Sequence, residues 1–483
     1  MTEKESNKRG FYITTTLPYV NADPHLGFAT EIIRADILAR YRRMLGDDVF
    51  FNTGTDEHGL KIYRKALEEK KDPQAYVDEY AAKFDSLRTA LNLSYNNFIR
   101  TTDSHHIKAA QEFWKRCAAN GDIEKRQYRT KYCVGCELEK TDSELEDNKC
   151  PIHPNLTIEL IEEENYFFKF SNYGKPLLDL YKNRPDFVVP EFRLREIKKF
   201  VENGLEDFSI SRLKSKMPWG VPVPGDDDHV MYVWFDALVN YISAIGWPDD
   251  MEKFQEYWPV VQFAGKDNLR QQSAMWQAML LSAQIEPSKQ IFIEGFLTSG
   301  GQKMSKSLGN VIDPFKVKEE YGTDAVRYYI AREIASFEDS DVTYEKIKNA
   351  YNGNLANGLG NLINRIMKLA SQEGVKGELA SNEEILQGIF GKALENINRF
   401  EFKKAIDVIW EEITRLDVYV NEKRPFETIK TNKEEARKDI VYLVSELWKI
   451  AIALSPFLPE TSEAIQTTIK ENKMPAALFP RKL

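Results

Sequence analysis

Gly300-Gly301-Gln302-Lys303-Met304-Ser305-Lys306-Ser307-Leu308-Gly309-Asn310 is the stretch around which the rest of the chain is organised. It follows the apolar run Ile291-Phe292-Ile293-Glu294-Gly295-Phe296-Leu297, which reads as a buried strand entering a basic, glycine-flanked loop. A loop carrying Lys303 and Lys306 can close over phosphates and neutralise charge that develops during phosphoryl chemistry. A Gly/Ser/Lys loop taken alone is more often a solvated linker. The weight therefore falls on the literal string Lys303-Met304-Ser305-Lys306-Ser307 and on what accompanies it elsewhere.

At 483 residues the chain has room for several domains, each able to bury a core. A hydrophobic content of 42% with 29% charged residues describes a soluble globular protein. No apolar run reaches the roughly 18 residues of a membrane span. The polar start MTEKESNKR has neither the apolar core of a secretory signal nor the acid-free character of a transit peptide. Four cysteines, three of them clustered, point to a reducing compartment and a metal rather than a disulfide framework, so a cytoplasmic protein is expected. A net charge of −9 argues against indiscriminate coating of nucleic acid. The acidity lies before residue 346. The slightly basic segment 346–483 is the better candidate for contact with a polyanion.

Near the N-terminus, Gly10-Phe11-Tyr12-Ile13-Thr14-Thr15 reads as a strand. Asp23 is a good helix N-cap and Pro24 suits the first helical position, which puts His25 in the first turn of the helix that follows. Free N–H groups and the helix dipole favour anions there. Gly27 has no side chain, so a base or ribose can approach its backbone. A capping turn with an incidental histidine is the plainer account of His25 taken alone. A second strand, Asp48 to Asn52, leads into Thr53-Gly54-Thr55-Asp56-Glu57-His58-Gly59, polar residues bunched where an open α/β sheet presents its ligand edge. His105 and His106 read as solvated.

Cys133-x2-Cys136, thirteen residues, then Cys150-x2-His153 presents two pairs of soft ligands, a close match to tetrahedral zinc with every position filled by protein. Such a site is structural, with one Zn²⁺ per chain. Cys117 stands apart and reads as core. Met231 to Tyr241 is rich in aromatics, and Val260 to Ala264 reads as a strand running into Gly265-Lys266-Asp267-Asn268. From Asn354 onward, helical periodicity recurs, for example at Ile440, Leu443, Val444, Leu447 and Trp448. Asn361 and Arg365 share one helix face, and Arg424-Pro425-Phe426 offers a ring on which an unpaired base could stack.

Lys303-Met304-Ser305-Lys306-Ser307 and His25-Leu26-Gly27-Phe28 resemble the two signatures of class I aminoacyl-tRNA synthetases. TGTDEHG at 53–59, the knuckle, Ser211-Arg212 with Trp219-Gly220-Val221-Pro222-Val223-Pro224, and the aromatic stretch are similar to methionyl-tRNA synthetases in the same order. The resemblance runs from about Phe11 to the C-terminus. It implies a Rossmann-type doubly wound parallel sheet split by a zinc-knuckle insertion and followed by an all-α helical-bundle anticodon-binding domain. The expected divisions are 1–115 and 226–295 for the two sheet halves, 116–225 for the insertion, 296–345 for the lysine loop and connecting helices, and 346–483 for the helical domain. The implied reaction is ATP-dependent attachment of L-methionine to its tRNA through methionyl-adenylate, with Mg²⁺ accompanying ATP.

By residue match, His25, Lys303 and Lys306 act on the phosphates. Pro18, Gly27, Phe28, Gly265, Asn268 and Ser305 border the nucleotide. Asp56 holds the amino group of methionine. Leu17, Tyr19, Trp234, Ala237, Leu238 and Tyr241 wrap the thioether, with Asp267, Gln272 and Trp276 behind it. Asn361, Arg365 and Phe426 read the anticodon. The chain departs from the family at Phe28, where a second histidine is usual, and at Gln271-Gln272 and Gln277. Gln272 is expected to hold the Tyr241 hydroxyl. Phe426 keeps a ring where the family has a tryptophan. Ending at Leu483, the chain is expected to lack an appended oligonucleotide-binding or dimerisation domain and to be a monomer.

Overall fold

The computed structural model describes residues 10–482 apart from 137, 141, 305–309 and 475. The chain forms two compact units. The first comprises Met1–Asp23, Val49–Ser86 and Tyr95–Ile293. Its centre is a six-stranded sheet in the order Asn97–Arg100, Asp48–Thr55, Gly10–Thr14, Val261–Gly265, Gln290–Glu294, Val188–Val189. The registers Asn52↔Asn97, Ile13↔Val261 and Ile291↔Val188 are all parallel. Every residue of Asp48–Thr55 after the first is buried, as parallel strands covered on both faces require. That strand runs three residues beyond the expected Asn52, into the polar stretch.

Chain order reverses at the middle of the sheet, where Gly10–Thr14 lies beside Val261–Gly265. In open α/β sheets the carboxyl ends of strands at such a switch point form the ligand crevice. Beneath it, Phe113 on the helix Ser104–Ala119 packs against Phe235, Trp247 and Trp276 with ring centroids 5.4 to 5.9 Å apart. An antiparallel sheet, ordered Leu138–Lys140, Ile123–Cys133, Glu159–Phe168, Phe208–Ser209, carries the cysteine-rich segment on its connection. Val188–Val189, the last strand of the central sheet, lies within the 116–225 stretch. Cys117 is fully buried, as its isolation in the sequence suggested.

The second unit comprises Pro24–Asp48, Leu87–Ser94 and Glu294–Leu483. The helix Leu26–Met44 is buried on nearly all faces and encloses Glu31, Arg34 and Asp36 among its apolar residues. Asp36 accepts from Arg327 Nη2 at 2.8 Å, Arg40 Nε at 2.7 Å and the Ser94 hydroxyl at 2.6 Å. Burial pushes its carboxyl up, but the Arg327 and Arg40 charges and these hydrogen bonds outweigh that and hold it below the usual range.

The run Ile291 to Leu297 is not one strand, contrary to the sequence expectation. It breaks after Glu294 because Gly295 passes so close to Glu338 that a Cβ would stand 2.2 Å from its carbonyl oxygen. The chain resumes as Leu297–Ser299, which pairs antiparallel with Gln302–Lys303 and parallel with Ser340–Asp341. The hairpin turn is Gly300-Gly301, both at positive φ (62° and 74°), the geometry a two-residue hairpin needs. Asp313 caps the helix Pro314–Tyr321. The helical run that contains Asn354 begins earlier, at Tyr344. The helices Asn361–Glu373, Phe402–Lys423, Lys433–Leu454 and Pro459–Glu471 then form a bundle around Ile409, Leu416, Leu443, Leu447 and Ile465. No described helix is long and apolar enough to cross a membrane.

Candidate active site

At the switch point the chain after Gly10–Thr14 is stitched to the end of Asp48–Thr55. Tyr19 and Asp56 form a parallel bridge, with Asp56 N–H donating to Pro18 O at 3.0 Å and Val20 N–H to Asp56 O at 3.3 Å. This fixes Asp56, whose side chain is on a residue only 3% exposed. The Tyr19 ring meets Trp234 edge-on, centroids 6.3 Å apart. Trp234 is the second residue of the short helix Val233–Ala237, and Ala237 and Leu238 are buried. Tyr241 meets Trp276 edge-on at 6.0 Å and accepts at its carbonyl from the Tyr12 hydroxyl at 2.8 Å. Gly265 and Asn268 are half-buried and Asp267 is exposed, at the carboxyl end of Val261–Gly265.

Gln272 Nε2 donates to the Tyr241 hydroxyl at 2.8 Å, the contact expected of it. Gln272 lies in a π-helical turn, Gln271–Met275, a feature often found at functional sites. Its orientation is set at a distance. Ser288 N–H donates to Gln277 Oε1 at 3.0 Å, so the Gln277 amino group faces Ser288 Oγ at 3.1 Å. Ser288 Oγ in turn donates to Gln262 Oε1 at 2.5 Å, and Gln262 Nε2 donates to Gln272 Oε1 at 2.9 Å. One backbone N–H thus fixes the polarity of three buried amides, and Tyr241 receives an N–H from the last. No member of the chain can become cationic.

Glu57 and His58, beside Asp56, are structural. Arg100 grips the Glu57 carboxylate with Nε and Nη2, at 2.6 and 2.9 Å. His58 Nδ1 lies 2.6 Å from Asp236 Oδ2, and His106 Nε2 lies 2.9 Å from Asp236 Oδ1. His106 is therefore not solvated, contrary to the sequence expectation. It is fully buried because a buried carboxylate needs donors on both oxygens. Burial alone would push Asp236 up, yet the two imidazoles hold its carboxyl at about 2. His105 is exposed.

The ligand atoms of Cys133, Cys136, Cys150 and His153 all lie within 4.8 Å of one another. Cys136 Sγ is 3.4 Å from Cys150 Sγ and 3.2 Å from His153 Nδ1, and Cys133 Sγ is 3.8 Å from His153 Nδ1. Zinc–sulfur bonds near 2.3 Å put two thiolates roughly 3.8 Å apart in a tetrahedron. The donor set fits one four-coordinate metal with no open position.

In the second unit, His25 is the N-cap of Leu26–Met44, not a residue of its first turn, and Asp23 and Pro24 precede the cap. The imidazole folds back, and Nδ1 accepts from Gly27 N–H at 3.1 Å and Phe28 N–H at 3.4 Å. A Cβ on Gly27 would stand 2.9 Å from the ring, so this glycine admits the histidine cap. With Nδ1 accepting, a neutral ring carries its proton on Nε2. The hairpin Leu297–Lys303 is held from the side by Asp341, which accepts from Gly301 N–H at 2.8 Å and pairs with Lys346 at 2.8 Å. Those two contacts hold the Asp341 carboxyl at about 2. Of Lys303 only the backbone is described, and Ser305 and Lys306 lie outside the described residues.

Asn361 is exposed and Phe426 is 39% exposed. Arg365 donates to Asp417 at 2.5 Å and to Asn421 at 2.6 Å, which presents its guanidinium in a fixed pose on the helix surface. The sequence reading did not find Arg34, Asp236, the Gln262–Ser288–Gln277 relay or the strand Ser340–Asp341. Charges set within an all-round apolar helix were the one available signal, for Arg34.

The family described as tRNA synthetases class I (M) matches residues 11–157 and 138–367. The methionine–tRNA ligase of Thermotoga maritima is 40% identical, over 96% of this chain and 76% of that protein. That of Thermosynechococcus vestitus is 41% identical, over 94% and 89%. The structure of Mycobacterium tuberculosis methionyl-tRNA synthetase in complex with methionyl-adenylate superposes with a TM-score of 0.89 at 35% identity, covering 98% of this chain and 99% of that one. At such identity over nearly the whole of this sequence, the chain belongs to the methionyl-tRNA synthetases, within class I of the aminoacyl-tRNA synthetases.

Proposed function

We propose the following division of labour for the ATP-dependent attachment of L-methionine to its cognate tRNA. The methionine carboxylate attacks the α-phosphorus of ATP, and the bond to diphosphate breaks. A hydroxyl of the terminal ribose of the tRNA then attacks the acyl carbon, and AMP leaves. Asp56 takes the methionine ammonium. Leu17, Tyr19, Trp234, Ala237, Leu238 and Tyr241 enclose the thioether, with Asp267, Gln272 and Trp276 behind them. Pro18, Gly27, Phe28, Gly265 and Asn268 border the adenosine. His25, Lys303 and Lys306 take the phosphates, Ser305 borders the nucleotide, and Mg²⁺ would accompany ATP. Catalysis is then positioning and charge stabilisation without a covalent enzyme intermediate. Asn361, Arg365 and Phe426 contact the anticodon of the methionine tRNA. The protein works as a cytoplasmic monomer.

The observation that carries this reading is the buried Asp56, fixed by a backbone bridge to Tyr19 at the switch point, with the Trp234 ring beside Tyr19. A carboxylate in an aromatic setting suits an ammonium joined to an apolar side chain. The test is ATP–diphosphate exchange with each of the twenty amino acids. Exchange is expected with methionine, and its absence with all twenty would overturn the reading.

Zinc is the metal the knuckle would hold, one per chain. Elemental analysis is expected to find about one zinc per chain, and Cys133→Ser to lose it and lower the melting temperature. A fully active protein free of metal would contradict this.

Gln272→Ala is expected to raise the KM for methionine severalfold and narrow the preference over norleucine, with the KM for ATP unchanged. The lost hydrogen bond to Tyr241 is worth about 1 kcal/mol. Apolar pockets separate such analogues by only about 10–200-fold, so that loss is visible in the exchange assay. Unchanged discrimination would mean that the relay supports the fold alone.

A further inference from the structure

Arg34 lies deep in the helix Leu26–Met44, 1% exposed at its side chain, and its guanidinium gathers four acceptors. Nη1 donates to Glu294 Oε2 at 2.9 Å and to Ser336 O at 3.4 Å, and Nη2 donates to Ala335 O at 2.8 Å and to Ile334 O at 3.1 Å. The Glu294 side chain is itself only 6% exposed. Glu294 is the last residue before the break at Gly295, and the hairpin Leu297–Lys303 follows at once. The three carbonyls belong to the segment that leads into Ser340–Asp341, the strand on which that hairpin rests. At the other end of the lysine loop, Ile312 O accepts from Leu26 N–H at 3.0 Å, in the residue after His25. The described residues before and after the lysine loop are therefore tied to one helix, at positions eight residues apart, roughly 12 Å along its axis.

We infer that Arg34 and Glu294 are positioning residues for adenylate formation. The bracket makes the helix that begins at His25 and the hairpin that carries Lys303 one rigid element. Both strands of support for the hairpin, the one entering it and the one beside it, take their position from a single planar fork that no other side chain reproduces. Groups that stabilise transferring phosphates work only when held near their productive geometry, and a displacement of about 1 Å from a remote change costs as much as a hundredfold. The inference rests on the phosphate role given above to His25 and the lysine loop.

The test is steady-state ATP–diphosphate exchange with L-methionine on the full chain, with melting temperatures, for Arg34→Met, Arg34→Lys, Glu294→Gln and the double variant R34M/E294M. Arg34→Met is expected to lower kcat at least tenfold, with the KM for methionine within twofold of the parent. Arg34→Lys, which keeps the charge but cannot reach four acceptors, recovers only part of the rate. Glu294→Gln keeps the shape and the carbonyl contacts, so it carries the test if Arg34→Met does not fold. It is expected to lose rate severalfold at an unchanged KM for methionine. The apolar double variant removes the paired charge without leaving either partner alone, so it is expected to regain stability relative to Arg34→Met but not rate. Folded variants with parental kcat, a rate restored in the double variant, or a KM for methionine raised as much as kcat falls would each overturn the inference. A parent chain that shows no methionine-dependent exchange would instead overturn the assigned reaction, so the two failures are distinguishable.

Discussion

Asparagine in place of Asp56 is expected to raise the KM for methionine by roughly a hundredfold or more, while the KM for ATP stays within about threefold and the melting temperature changes little. The substitution preserves shape and leaves the backbone bridge to Tyr19 intact, because that bridge uses Asp56 N–H and O and not its side chain. What it removes is a negative charge held where water scarcely reaches. An ammonium placed there would lose its ionic partner and keep its desolvation penalty. Truncating one side of such a pair typically costs about 2–5 kcal/mol, and each 1.4 kcal/mol is a factor of ten. Exchange measured against methionine concentration gives the number directly. A KM moved less than about threefold would show that the ammonium binds elsewhere and would leave Asp56 a structural residue like its neighbour Glu57.

That contrast between neighbours shows which parts of the site were legible in the sequence. Asp56, Glu57 and His58 are consecutive, and nothing local distinguishes them. The bond partners that separate their roles are distant in sequence, Arg100 for Glu57 and Asp236 for His58. The knuckle was legible because its ligands come as two short-range pairs whose spacing expresses the geometry of one ion. The four central strands of the sheet were legible because Gly10–Thr14, Val261–Gly265, Gln290–Glu294 and the start of Asp48–Thr55 carry short runs of buried apolar residues. Buried ion pairs leave no comparable trace. Arg34 and Glu294 are 260 positions apart, and Asp236 finds its two histidines 178 and 130 positions away. Ser340–Asp341 is short and polar, and it exists as a strand only because the hairpin of Leu297–Ser299 lies alongside it. The Gln272–Tyr241 contact came from resemblance. The relay behind it, through Gln262, Ser288 and Gln277, has no periodicity to betray it.

His25→Asn is expected to slow methionine-dependent exchange by roughly a hundredfold or more and to leave the melting temperature close to that of the parent chain. Two accounts of His25 compete, the helix cap that the structure shows and the phosphate ligand that is proposed. Nδ1 accepts from Gly27 and Phe28 N–H and so caps Leu26–Met44, and the proposed phosphate contact would use the other ring nitrogen. Alanine would remove both functions, and the cap alone is worth about 1 kcal/mol, so a slow His25→Ala enzyme would be ambiguous. Asparagine separates them. It is among the best N-cap residues, so the helix start survives. Its side chain is too short to cap with one end and donate to a phosphate with the other. Removing a single donor aimed at developing charge typically costs about 10²–10³ in rate. Gly27 stays, which leaves room for the new side chain to fold back as the imidazole does. An asparagine variant of full activity would reduce His25 to a cap and shift the work on the phosphates to the lysine loop. A slow variant with an unchanged melting temperature would assign the loss to Nε2–H, since the cap would have been preserved.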